Sequence, residues 1–81
     1  MEEITVRIDQ IYVPVGRQRN LDPNTVKKIA ESILEVGLEV PISLRRDGER
    51  FVLVSGLHRL EACKALGDET VAAIVVGARQ R

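Results

Sequence analysis

The chain has 81 residues, 44% of them apolar, which suits one small domain over residues 1–81. Twelve Lys and Arg residues balance twelve Asp and Glu residues, so net charge gives no global attraction for nucleic acid or an anionic membrane. The single cysteine excludes an intramolecular disulfide, and no run approaches the ~20 apolar residues that span a bilayer. We therefore expect a cytoplasmic protein with no metal site and no membrane partner, in which any anion-binding site is local.

The chain begins with a predicted strand and a loop. Residues 3–8 (EITVRI) alternate apolar and polar side chains, the period of a half-buried strand. Residues 12–20 (YVPVGRQRN) contain a proline and a glycine before any helical pattern begins. We expect an extended loop there, from which Arg17 and Arg19 project.

A first helix is predicted from about Pro23 to Val36. Asp22 can cap its free N–H groups, and proline is tolerated at the first helical position, where the missing donor would be unpaired anyway. Gly37 supplies the stop signal. An apolar stripe at helical spacing faces the core: Val26, Ile29, Ala30 and Ile33.

Three further strands and a second helix complete the predicted order. Residues 41–46, 50–54 and 70–76 are rich in β-branched side chains and predict strands. Residues 57–66 predict a helix that ends at Gly67. The element order is β-loop-α-β-β-α-β, which indicates an α/β fold.

The first helix also carries a polar stripe. Thr25, Lys28 and Ser32 border its apolar face, where the helix meets the rest of the domain. Such a rim can line a groove, or it can be an ordinary solvated face. Periodicity alone leaves both interpretations open.

The second helix begins at a predicted anion-binding turn. Ser55 and Gly56 separate a strand from the helix, so the free N–H groups of its first turn lie at the positive end of the helix dipole. Such a terminus binds phosphates. Gly56 allows a ligand close to the backbone, and Ser55 can either cap the helix or donate its hydroxyl to the anion.

Two polar residues follow in that turn, and a cysteine lies further along the helix. Arg59 lies within the apolar arc, where its guanidinium either reaches a phosphate or forms a salt bridge with a carboxylate such as Asp22 or Glu61. His58 is either a surface or capping residue or part of the site. The cysteine, Cys63, is expected to be a buried small hydrophobe without catalytic reactivity.

Three segments in order resemble the ParB/sulfiredoxin fold, the N-terminal module of ParB partition proteins, over about residues 4–76. These segments are LDPNTVKKIAESI, GLEVPI and GLHRLEACKALG. The resemblance implies one domain with a mixed sheet and two main helices. It also implies nucleotide-phosphate contacts for Gly56, His58 and Arg59, and polar contacts from Thr25, Lys28 and Ser32.

Two departures qualify the resemblance. Leu57 stands where sulfiredoxins have their catalytic cysteine, which excludes sulfinic-acid reductase chemistry, because a leucine cannot attack a sulfur. Val40 stands where ParB proteins have a glutamine, and the ParB version of the second-helix motif is richer in arginine, so the nucleotide is left open.

The combined prediction is a regulatory domain that binds nucleotide phosphates and acts in DNA partition or DNA regulation. The cofactor is ATP, ADP or CTP, with or without Mg²⁺, held in a groove between the two helices. Arg17 or Arg19 closes over that groove. DNA is expected as a partner only through a separate domain, and self-association as a homodimer is a further expectation. A small phosphotransferase or nuclease of the same fold, or an interaction module without nucleotide, is the alternative.

Overall fold

The structure is a computed structural model that describes residues 2–37 and 40–77. Residues 38 and 39 of the GLEVPI segment lie outside the described part. The regular elements, apart from a 3₁₀ turn at Ile8–Gln10, are β1 (Glu3–Arg7), β2 (Ile11–Tyr12), α1 (Val15–Gln18), α2 (Pro23–Val36), β3 (Ile42–Asp47), β4 (Arg50–Ser55), α3 (Leu57–Ala65) and β5 (Thr70–Val75).

The strands form one mixed five-stranded sheet in the order β1-β5-β3-β4-β2. β1 runs antiparallel to β5, and β3 runs antiparallel to β4. β3 and β5 are parallel, as are β2 and β4. The crossover that brings β5 back beside β3 contains α3. The predicted α/β fold, with a mixed sheet and two main helices, is confirmed.

The predicted loop over residues 12–20 is wrong in part. Ile11 and Tyr12 form β2, which pairs with Phe51 and Val52 of β4. Val15–Gln18 form α1, a single turn, and the Gln18 side chain donates to the Val13 carbonyl at 3.0 Å. A proline and a glycine therefore mark the turn's beginning and interior here, instead of excluding a helix.

Some predicted ends of strands and helices differ from the observed ends by one residue. β1 ends at Arg7 because Ile8 already belongs to the 3₁₀ turn. α3 ends at Ala65, and Leu66 is its C-terminal capping residue. β4 extends by one residue to Ser55.

α2 has the predicted ends. The Asp22 carboxylate accepts from the Asn24 amide at 3.0 Å, and Pro23 occupies the first turn. Gly37 has φ +74°, and its amide donates to the Ile33 carbonyl at 2.8 Å. α2 packs mainly against α3, and none of its residues is fully buried. It is therefore an outer layer over α3.

The core lies between the sheet and α3. Leu60 and Cys63 of α3 are buried among strand residues, and the predicted burial of Cys63 is confirmed. Within residues 2–37 and 40–77, no helix has the length and apolar character needed to cross a bilayer. The buried cluster consists of Val6, Ile42, Leu44, Leu53, Leu57, Leu60, Cys63, Val71 and Ala73.

Gly56 lies where β4 hands over to α3. Its φ is +102°, and a Cβ at this position would lie 2.7 Å from Ile42 Cγ2 and 2.9 Å from Ile42 Cβ. An L side chain is disfavoured here twice, by the backbone conformation and by steric overlap. Ile42 is itself 1% exposed and has little room to move.

We expect Gly56→Ala to lower the free energy of unfolding by about 2–4 kcal/mol, because strain and overpacking add. Gly48→Ala is the matched control, since Gly48 has φ +64° but nothing within 4 Å of its Cβ position. It should lose only about 1 kcal/mol, from backbone strain alone. Urea unfolding measures both, and equal losses would contradict the steric role of Ile42.

Candidate functional site

The first turn of α3 has backbone donors that no side chain of the described residues caps. Gly56 is the residue that precedes the helix, and no side chain caps the helix there. The first hydrogen bond of the helix runs from the Leu60 amide to the Gly56 carbonyl at 2.9 Å. The amides of residues 57–59 come before it and therefore have no acceptor within the helix. The first turn contains no acidic residue. The positive end of this helix dipole is therefore not compensated by its own sequence.

The two residues at either side of Gly56 have different environments. Ser55 is exposed at the end of β4, and its predicted capping role is wrong because Gly56 takes the capping position. Its other predicted role, as a hydroxyl donor to an anion, stays a prediction. Leu57 is only 9% exposed and packs into the core. The core thus anchors the helix start, and the exposed Gly56 lies beside it.

His58 joins the starts of the two main helices. Its Nε2 accepts a hydrogen bond from the Asp22 backbone amide at 3.0 Å, and the ring is half-buried. Asp22 precedes α2, and its carboxylate also accepts from the Thr25 hydroxyl at 3.1 Å. The positive ends of α2 and α3 therefore lie next to each other.

Arg59 has no ion pair within the described ranges 2–37 and 40–77. Glu61 pairs with Lys64 at 3.2 Å, and the Asp22 carboxylate caps α2. The predicted alternative of a structural salt bridge to either of these carboxylates is therefore wrong. The half-buried Arg59 side chain instead lines a cavity whose other lining residues include Ile33, Val40 and Asp68.

The polar stripe on α2 is divided. Thr25 is half-buried and belongs to the cap, close to Asp22 and His58. Lys28 and Ser32 are exposed further along the helix and line a hollow with Glu31 and Glu35. The structure thus brings Thr25 to the start of α3 through Asp22, whereas Lys28 and Ser32 lie on the surface of α2.

The two loop arginines are exposed on and after α1. Arg17 lies in the last turn of α1, and Arg19 is its C-terminal capping residue. Neither forms an ion pair in the part of the chain that the structure describes. Arg19 precedes Asp22 by three residues, which limits their Cα separation to about 11 Å. Arg19 is therefore close along the chain to the residue that caps α2.

A family model, that of the ParB N-terminal domain, matches residues 1–81. The chain belongs to the ParB N-terminal domain family. Among curated relatives, a probable chromosome-partitioning protein ParB of Campylobacter jejuni is 37% identical over 71 residues, covering 86% of this chain. Arabidopsis thaliana sulfiredoxin is 35% identical over 68 residues, covering 84% of the chain. The resemblance stated from the sequence is confirmed.

This ParB N-terminal domain is shorter than its curated relatives. It spans 26% of the Campylobacter ParB and 54% of the Arabidopsis sulfiredoxin.

Solved structures show the same fold. The crystal structure of the Arabidopsis sulfiredoxin matches with a TM-score of 0.84 and 31% identity, covering 96% of this chain and 88% of that one. A truncated Caulobacter crescentus ParB complexed with CTP-γ-S matches with a TM-score of 0.80 and 21% identity, covering 99% and 47%. A mutant of a free serine kinase in complex with ADP matches with a TM-score of 0.80 and 16% identity, covering 94% of this chain and 31% of that one.

Sequence reasoning named the residues of the turn at Gly56 as candidates but missed the contact between His58 and Asp22. The two residues are 36 positions apart, and no local pattern signals their pairing. The cap formed by Asp22 was predictable, because Asp before Pro at a helix start is a local signal.

We expect Asp22→Ala to lower the free energy of unfolding by about 1 kcal/mol, because it removes the acceptor for Asn24 and Thr25. Asp22→Asn is the control, since its amide oxygen caps a helix equally well. Urea denaturation distinguishes them. If both variants unfold like the parent, the cap does not stabilise α2.

Proposed function

We propose that this ParB N-terminal domain binds the phosphates of a nucleotide at the start of α3 and acts as a regulatory module in DNA partition or DNA regulation. One observation carries the proposal. The first turn of α3 combines uncapped amides, no acidic residue and, within the described residues, an arginine without an ion pair. Backbone donors and a guanidinium together suit phosphate oxygens.

The roles of the turn residues follow from their surroundings. The exposed backbone of Gly56 and the amides after it approach the phosphate, and the Arg59 guanidinium supplies the positive charge. The buried Leu57 holds the turn in place without contributing a nucleophile. Its apolar side chain supports binding as the function of this turn, and not the reduction of a sulfinic acid.

The nature of the nucleotide is proposed from relatives. The Caulobacter ParB structure is a complex with CTP-γ-S, and structures of the free serine kinase are complexes with ADP, in a mutant, and with AMP. Their shared fold supports ATP, ADP or CTP as the ligand here, with or without Mg²⁺. The phosphates are common to these ligands, so the site at α3 is expected to bind the phosphate part.

The context of the proposed function also comes from relatives. Chromosome-partitioning ParB proteins are much longer than this chain. We propose that contact with DNA uses a separate domain and that nucleotide binding regulates self-association of this domain. A balanced net charge fits a module that does not hold DNA by long-range attraction.

We expect millimolar ATP, ADP or CTP with Mg²⁺ to shift the amide NMR signals of residues 55–60. Free amides that gain a phosphate oxygen as acceptor change their environment directly. Pyrophosphate should shift the same signals, because the contacts are to phosphates. Unchanged signals from residues 55–60 at millimolar nucleotide would contradict the proposal. Labelled product formed from ATP would instead favour a phosphotransferase or nuclease.

We expect Arg59→Met to weaken nucleotide binding by about 10- to 100-fold, the loss of one charge-assisted hydrogen bond. Stability should change by less than about 0.5 kcal/mol, because methionine keeps the aliphatic stem and no ion pair is lost. Arg45→Met, at an exposed position on β3, is the charge-matched control and should bind normally. Calorimetric titration and urea unfolding measure both effects. If Arg59→Met lowers the free energy of unfolding but keeps the nucleotide affinity of the parent, the role of Arg59 is purely structural.

A further inference from the structure

We infer that neutral His58 bridges a bound phosphate and the start of α2, with Nδ1–H donating to the phosphate and Nε2 accepting from the Asp22 amide. This inference rests on the proposed function and adds a regulatory connection to it. Phosphate binding at the start of α3 is coupled, through the His58 ring, to Asp22, the residue that precedes α2. His58 is thereby a positioning residue as well as a phosphate contact.

The hydrogen bond from Asp22 determines the form of the ring. A backbone N–H can only donate, so Nε2 must present a lone pair at its 3.0 Å separation. A neutral imidazole with an unprotonated Nε2 carries its proton on Nδ1. The Asp22 amide therefore selects the tautomer with a donor at Nδ1.

No acceptor for that donor is found among the described residues. In the part of the chain that the structure describes, the bond from Asp22 is the only hydrogen bond made by the His58 ring. Nδ1 is bonded to Cγ, so it lies closer to the helix backbone than Nε2 does. His58 is the second residue of α3, so its ring extends from the same turn whose amides are proposed to bind the phosphate.

The two contacts reinforce each other. An Nδ1–H that donates to an anion makes the opposite nitrogen a better acceptor, because linked hydrogen bonds polarise one another. Phosphate binding should therefore strengthen the bond from Asp22, and that bond should raise phosphate affinity by the same factor. Asp22 also carries the carboxylate that caps Asn24 and binds Thr25, so the effect reaches the first turn of α2.

Two variants of His58 distinguish the contribution of Nδ1 from that of Nε2. In His58→Gln, the side-chain oxygen can take the place of Nε2 and accept from Asp22, but the donor at Nδ1 is gone. In His58→Asn, the amide nitrogen can take the place of Nδ1, but the side chain is too short to reach Asp22. We expect His58→Gln to keep the hydrogen-exchange protection of the Asp22 amide and to lose about tenfold in pyrophosphate affinity. His58→Asn should retain more pyrophosphate affinity than His58→Gln, because its amide nitrogen still donates, and should reduce the protection of the Asp22 amide about tenfold.

Ring NMR of the unsubstituted chain tests the inference even if a variant does not fold. The ¹⁵N signals of His58 should identify Nδ1 as the protonated nitrogen, and pyrophosphate should shift Nδ1 while slowing exchange of the Asp22 amide. A ring protonated at Nε2 in the free protein would overturn the inference. Pyrophosphate that shifts the amides of residues 57–60 but leaves Asp22 unchanged would overturn it while the proposed function stands. No shift at either place would reject both.

Discussion

The contact between the Gly56 backbone and the Ile42 side chain determines where α3 begins. A Cβ on residue 56 would lie 2.7 Å from Ile42 Cγ2, so only glycine lets the chain turn this close to β3. The next residue, Leu57, then enters the core directly. The amides of the first turn acquire their position as a consequence. The sequence analysis expected Gly56 to allow a ligand close to the backbone. In the structure, its lack of a side chain is required for close packing against Ile42 of β3.

Local signals explain which elements could be predicted. α2 was predictable from end to end because its cap, its first-turn proline and its terminal glycine are adjacent to it in sequence. β2 was missed because two residues carry no periodicity, and its pairing with β4 is a tertiary contact. α1 was missed because it is a single turn, stabilised by the contact of Gln18 with Val13.

At the candidate site, too, contacts between residues near in sequence could be predicted, whereas contacts between distant residues could not. Both carboxylates considered as partners of Arg59 interact with residues close to them in sequence. Glu61 pairs with Lys64 at spacing i,i+3, and Asp22 caps α2. These local interactions made that salt bridge less favourable, but the structure was needed to exclude it. The bond between His58 and Asp22 could not be foreseen, because it depends on how α2 packs on α3.

Magnitudes indicate which residues would have to supply the affinity of the proposed phosphate site. A helix terminus contributes about 0.3–1 kcal/mol toward an anion, whereas a micromolar ligand requires about 8 kcal/mol. The end of α2 adds little, because the Asp22 carboxylate already compensates it. Charge-assisted bonds contribute about 1.5–3 kcal/mol each, so the amides need at least one free cation beside them. Arg59 is in the same turn, and Arg19 is close along the chain; neither forms an ion pair within residues 2–37 and 40–77. A chain of zero net charge can thus hold an anion strongly at one point, provided that its cations there have no carboxylate partners.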